Sequence, residues 1–109
     1  MQMKDIPFGI TDWAEVGETI HPGETGAARW RTREFGEIRA RIVEYSPGYR
    51  ADHWCTKGHI LYVLEGVLET ELGDGRKVTL MPGSSYQVAD GAEPHRSSTA
   101  TGVRLFIVD

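Results

Sequence analysis

The chain has 109 residues, 39% of them hydrophobic and 26% charged, a composition that fits one globular domain with a single core. Its formal net charge of −4 and pI near 5.5 argue against a nucleic-acid partner, which selects a basic face. No apolar run approaches the roughly 20 residues of a membrane span, MQMKDIPFGI lacks the apolar core of a secretory leader, and one cysteine cannot build an internal disulfide, so a cytoplasmic chain with no membrane partner is expected.

Thirteen glycines and five prolines cut the chain into short segments rich in Val, Ile, Leu, Tyr, Thr and Arg, the pattern of an all-β sandwich or barrel. Residues 1–26 read as an irregular N-terminal arm. Asp12 to Val16 can form one helical turn with Asp12 as its N-cap, and His21 falls in a Pro-Gly loop at the surface. Residues 27–109 read as the β domain. Ala28, Trp30 and Thr32 alternate with Arg29, Arg31 and Arg33; Ile38, Ala40 and Ile42 alternate with Arg39 and Arg41. Period two with one charged face means half-buried strands, and the five arginines read as a solvated face balanced by Glu34, Glu37 and Glu44 rather than as an anion-binding ladder. Ser46-Pro47-Gly48 turns the chain, and strands at 53–56 and 59–65 flank Lys57-Gly58.

Val67 to Leu72 and Arg76 to Leu80 read as a hairpin about Asp74-Gly75, a pair that predicts a type I′ turn. Ser85 to Val88, Pro94 to Thr99 and Val103 to Val108 bring the total to about eight or nine short antiparallel strands. Both faces of Ile60-Leu61-Tyr62-Val63-Leu64 are apolar. With His59, Leu61 and Val63 inward, outward Ile60, Tyr62 and Leu64 need a second cover, from the arm or from a partner subunit, and a homodimer is expected.

Chemistry concentrates in three of the four histidines and the one cysteine. They stand as Gly48-x4-His53-x-Cys55-x3-His59-x6-Gly66 and Gly83-x11-His95-x3-Thr99. On an extended strand His53 and Cys55 leave the same face. The turn at Lys57-Gly58 lets His59 open the next strand toward the same interior, and the turn at Ala92-Glu93-Pro94 delivers His95 from a distant one. Imidazole and thiolate donors suit zinc, iron, copper or nickel better than magnesium or calcium. Asp52 points to the opposite face, which speaks against a two-histidine, one-carboxylate triad. Trp54 alternates outward, and Tyr45 and Tyr86 read as barrel-wall packing rather than as a pocket acid or base.

This arrangement resembles the two motifs of the cupin superfamily over about residues 36–108. His53 stands for the first motif histidine, Gly48 and Gly66 for its flanking glycines, and Tyr62-Val63-Leu64-Glu65-Gly66 is the strongest match. Gly83, Gly91 and His95 follow the second motif, with Ala89 where proline is usual and one extra residue before the histidine. Asp52-His53-Trp54-Cys55 is similar to the signature of a group of small cupins named for an Asp-His-Cys-Trp motif. The resemblance implies a single-domain cupin, an RmlC-like jelly-roll barrel, with one divalent transition metal (Zn, Fe, Ni or Mn) on His53, Cys55, His59 and His95. The sequence departs from the usual three-histidine, one-glutamate set: Cys55 replaces the second histidine and His59 the glutamate. Three functions follow from this reading: a metal-dependent enzyme acting on a small molecule, a non-catalytic small-molecule binding or sensing cupin, and a barrel with a structural metal.

Overall fold

The computed structural model describes residues 3–109. A 3-10 turn at Trp13–Glu15 precedes nine strands: β1 (Glu18–Pro22), β2 (Ala27–Phe35), β3 (Ile38–Tyr45), β4 (His59–Gly66), β5 (Leu68–Leu72), β6 (Lys77–Leu80), β7 (Ser85–Val88), β8 (His95–Ser98) and β9 (Val103–Val108). All pair antiparallel. A six-stranded sheet runs β1-β2-β3-β9-β4-β7, and a three-stranded sheet runs β6-β5-β8. The fold is all-β, as the punctuation of the sequence predicts, and a jelly-roll barrel, as the resemblance implies. Among the described residues no helix is long and apolar enough to cross a membrane.

The core lies between the sheets. Val43 of β3, Leu61 and Val63 of β4, Leu68 of β5, Leu80 of β6, and Val103, Leu105 and Ile107 of β9 form one buried cluster. They occupy alternate positions of their strands, so one face of each strand goes inward. Each such side chain contributes about 1.5–3 kcal/mol when taken from water. Gly66 closes β4 at φ +79°, and a Cβ there would run into the Gly102 carbonyl, so this motif glycine is demanded by close backbone approach.

The N-terminal segment is less irregular than its composition implies. Asp12 caps the 3-10 turn, accepting the Ala14 N–H at 3.1 Å. Residues 18–22 form β1, an edge strand paired with β2 from Glu18↔Arg31 to Pro22↔Ala27. His21 is therefore not a surface loop residue. It stacks on Trp30 with ring centroids 3.7 Å apart, and its Nε2 lies 2.8 Å from Thr19 Oγ1. Trp13 packs edge-on against Phe106 of β9, supplying part of the second layer over the outer face of the large sheet.

Two further expectations are corrected. The hairpin between β5 and β6 turns through Leu72–Gly75, with the Gly75 N–H donating to the Leu72 carbonyl at 2.9 Å. Gly75 has φ +95° while Asp74 is not in the positive-φ region, so this is a three-residue connection and not a type I′ turn. The face of β3 that carries Arg39 and Arg41 points inward, in phase with Val43, rather than into solvent. Arg41 is only 6% exposed. The counter-charge that permits this is Asp109, which follows β9 in phase with Leu105 and Ile107.

Candidate metal centre

The site forms where β4, β7, β8 and the segment before β4 meet. Cys55 and His95 are backbone partners: the Cys55 N–H donates to the His95 carbonyl at 2.8 Å and the His95 N–H to the Cys55 carbonyl at 3.0 Å. Opposed residues of an antiparallel pair send their side chains to the same face. His59, the first residue of β4, turns inward in phase with Leu61 and Val63. One ligand atom each from Cys55, His59 and His95 falls within 4.8 Å of the others. The two imidazole rings lie edge to face at 4.9 Å.

His53 is not brought to this group. Its side chain is 75% exposed, and its Nδ1 lies 2.6 Å from Asp52 Oδ1. The reason is local. Expecting His53 beside Cys55 assumed a regular strand over 53–56, but Asp52 and His53 form a bend and only Cys55 makes a bridge. Without strand geometry, a two-residue spacing no longer fixes a shared face. Trp54 does point outward, with the Arg96 guanidinium 4.6 Å above its ring.

The hydrogen bonding defines which lone pairs are free. His95 Nδ1 donates to the Glu93 carbonyl at 2.9 Å. That bond fixes the neutral tautomer and leaves Nε2 as a bare acceptor. This Nε2 is buried without a partner, on a residue 2% exposed. His59 has Tyr86 Oη 3.0 Å from Nε2 and Asp109 Oδ2 3.7 Å from an otherwise unpartnered Nδ1. A carboxylate facing Nδ1 favours the proton there. In the metal-free chain Tyr86 then donates to the Nε2 lone pair, the lone pair that an ion would take over. Burial raises the Tyr86 phenol above its ordinary value, which keeps it a neutral donor. Burial first, then His95, Arg41 and Arg39, push the His59 imidazole down to about 4 against the opposing pull of Asp109. His59 is therefore uncharged at neutral pH, the state a metal ligand requires.

Asp109 is itself held firmly. Arg39 Nε and Nη2 donate to its two oxygens at 2.9 and 3.0 Å, and Arg41 Nη2 donates at 3.1 Å. Burial raises this carboxyl, but the Arg39 hydrogen bond and the charges of Arg41 and Arg39 outweigh it and keep the group below its ordinary value. Arg41 in turn lies 4.4 Å over the Trp30 ring. An open cleft of about 660 Å³ reaches His59 and Asp109 between Lys57, Ile60, Val88 and Val108.

A transition metal fits these residues. A buried, unpartnered imidazole nitrogen is costly unless a cation or donor meets it. Two imidazoles and a thiol are the donor set of borderline-to-soft metals. Each histidine has its second nitrogen facing an oxygen, as ligating histidines generally do. Three groups of this centre escape a reading by spacing alone. Tyr86 reads as packing yet bonds His59. Arg41 reads as a solvated charge, and Asp109 carries no motif. Period two offered the only signal for these last two, since Arg41 shares its phase with Val43 and Asp109 with Leu105 and Ile107.

No family model matches the chain, and no curated protein matches it in sequence. Solved structures do. A predicted oxalate decarboxylase from Thermotoga maritima aligns at TM-score 0.79 and 16% identity, covering 92% of this chain and 96% of that one. An RmlC-like cupin from Shewanella frigidimarina aligns at 0.69 and 18%, covering 96% and 88%. Ectoine synthase from P. lautus aligns at 0.72 and 19%, covering 93% and 76%. At these identities the likeness speaks to architecture, and by it this chain has the fold of the cupin superfamily.

Proposed function

We propose that the barrel binds one divalent transition-metal ion on Cys55, His59 and His95, and that the chain works in the cytoplasm, as a homodimer, as a metal-dependent enzyme acting on a small molecule. The observation that carries the metal reading is His95 Nε2. It is buried and unpartnered, its tautomer is set by the Glu93 carbonyl, and it lies in a group with Cys55 and His59. Three protein ligands leave a coordination position for substrate or water, as catalytic sites do and closed structural sites do not. When bound, the ion supplies Lewis acidity toward an oxygen of the substrate. The remaining roles fall to the chain. Tyr86, partly buried and protonated, presents a hydroxyl proton beside His59. Asp109 orients the His59 ring, and Arg39 and Arg41 hold Asp109 ionised. The open cleft against His59 supports a small-molecule ligand over a purely structural ion.

The test is metal analysis of protein purified without added metal. Wild type is expected to carry about one ion per chain. His95→Ala and His59→Ala are expected to lose it, while His53→Ala retains it. Full metal in the His95 variant would overturn the assignment. Loss of metal in His53→Ala would show that the 52–53 bend rearranges to bring a fourth ligand in.

A further inference from the structure

Four buried side-chain atoms among the described residues lack a hydrogen-bond partner: Arg41 Nε, His59 Nδ1, Thr70 Oγ1 and His95 Nε2. They come from four strands, β3, β4, β5 and β8, and all occupy inward positions of the barrel. A metal accounts for His95 Nε2, and the Asp109 carboxylate faces His59 Nδ1. Arg41 is left unexplained. This guanidinium is 6% exposed, uses Nη2 on Asp109 and keeps its Nε–H free. Trp30 stacked at 4.4 Å offsets part of the desolvation of the cation but offers no oxygen acceptor. A buried guanidinium donor with no acceptor is costly, and an anion is the group that answers it.

The charge balance agrees. Arg41 is paired with Asp109, and Arg39 faces both Asp109 and the charge of Glu34, so the wall itself is near balance. A divalent ion, even with a Cys55 thiolate, adds one positive charge. The remaining charges around the cleft are Glu37, Lys57, Asp90 and Glu93. Glu93 is paired with Arg76, and Asp90 accepts the Gly58 N–H at 2.6 Å. They sit at the rim, whereas the charge of the ion would be inside. Placement agrees as well. The same Asp109 oxygen lies 3.1 Å from Arg41 Nη2 and 3.7 Å from His59 Nδ1, so guanidinium and imidazole stand one carboxylate oxygen apart.

Resting on the metal reading above, we propose that the substrate class is a small carboxylic acid, its anion held between the metal centre and the free Nε–H of Arg41. Val88, paired with His59 in register, offers an apolar contact to the rest of a short aliphatic ligand. A neutral or cationic ligand would leave both the excess charge and the free guanidinium donor unanswered.

The experiment uses the full chain loaded with one equivalent of Co(II) and the pair propionate and propionamide, alike in shape and different in charge. The ligand methyl proton resonance reports binding near the paramagnetic ion. Propionate is expected to broaden and propionamide to remain sharp. Arg41→Lys, which keeps a positive charge but removes Nε–H, is expected to weaken propionate at least tenfold while still holding one cobalt. Equal broadening of acid and amide, or unchanged propionate affinity in Arg41→Lys, would overturn the proposal. Failure of wild type to hold cobalt would instead overturn the metal reading beneath it. If Arg41→Lys does not fold, the acid–amide contrast in wild type decides.

Discussion

Cys55 and His95 exchange both of their backbone hydrogen bonds, at 2.8 and 3.0 Å, although 40 residues separate them in the chain. The pair is an isolated bridge, not part of a longer ladder, and it sets thiol and imidazole side by side without help from strand alternation. Backbone geometry thus places Cys55, and its side chain is free to vary.

Cys55→Ser tests this separation of roles. The bridge uses only main-chain atoms, so the variant is expected to fold with a stability within about 0.5 kcal/mol of wild type in the metal-free state. Its zinc affinity is expected to fall by more than the roughly 10–100-fold cost of losing an outer partner, because a direct ligand is replaced by a poor one. Competition with a chromophoric chelator measures this. Unchanged zinc affinity would remove Cys55 from the ligand set.

Much of the fold was readable before the structure because turns and alternation carry it. The strand bounds at 85–88 and 103–108, the inward set Leu61 and Val63 and the outward set Ile60 and Tyr62 follow from period two and Gly-Pro punctuation. The candidate site was readable in part. His59 and His95 lie at strand starts where alternation holds. His53 lies in a bend, where spacing says nothing about direction. Arg41 eludes the alternation because a charge on a strand ordinarily faces water, and the partner that permits its burial stands 68 residues away.

The Asp109 clamp carries a stability prediction. Its side chain is 1% exposed and meets two guanidinium groups, one of them buried. Asp109→Asn keeps the shape and removes the charge, leaving Arg41 inside the barrel without a counter-ion. The expected loss is about 3 kcal/mol, the scale for breaking a buried pair from one side. Urea unfolding of chelator-treated protein reads it directly. A loss below about 1 kcal/mol would show that Arg41 reaches solvent.

The low pKa of His59 predicts a specific acid sensitivity of the metal-free chain. In the folded state the imidazole stays neutral down to about pH 4, while in the unfolded chain it takes a proton near 6.5. Its contribution is therefore fully present above about pH 6.5 and is lost as pH falls from there toward 4. The shift corresponds to roughly 3 kcal/mol. Unfolding midpoints of wild type and His59→Gln, measured between about pH 7 and pH 4 after chelation, are expected to converge as the pH drops, since other carboxylates titrate alike in both. Parallel curves would show that His59 protonates freely in the folded barrel.

The last prediction concerns the outer face of β4. Ile60 and Tyr62 remain 51% and 43% exposed between the fully buried Leu61 and Val63. Trp13 covers Phe106 on the neighbouring strand, β9, opposite Tyr62 in register. Ile60 and Tyr62 still keep this exposure beside it. Burying both side chains against a second copy would contribute about 3 kcal/mol in total by the usual transfer scale. An isologous contact brings the same patch from each chain. Sedimentation is expected to give the mass of two 12.1 kDa chains. The double variant Ile60→Lys, Tyr62→Glu is expected to sediment as one chain while keeping its metal, because both side chains point away from the barrel interior. A wild-type chain that stays monomeric well above micromolar concentration would show that this face has no second copy upon it.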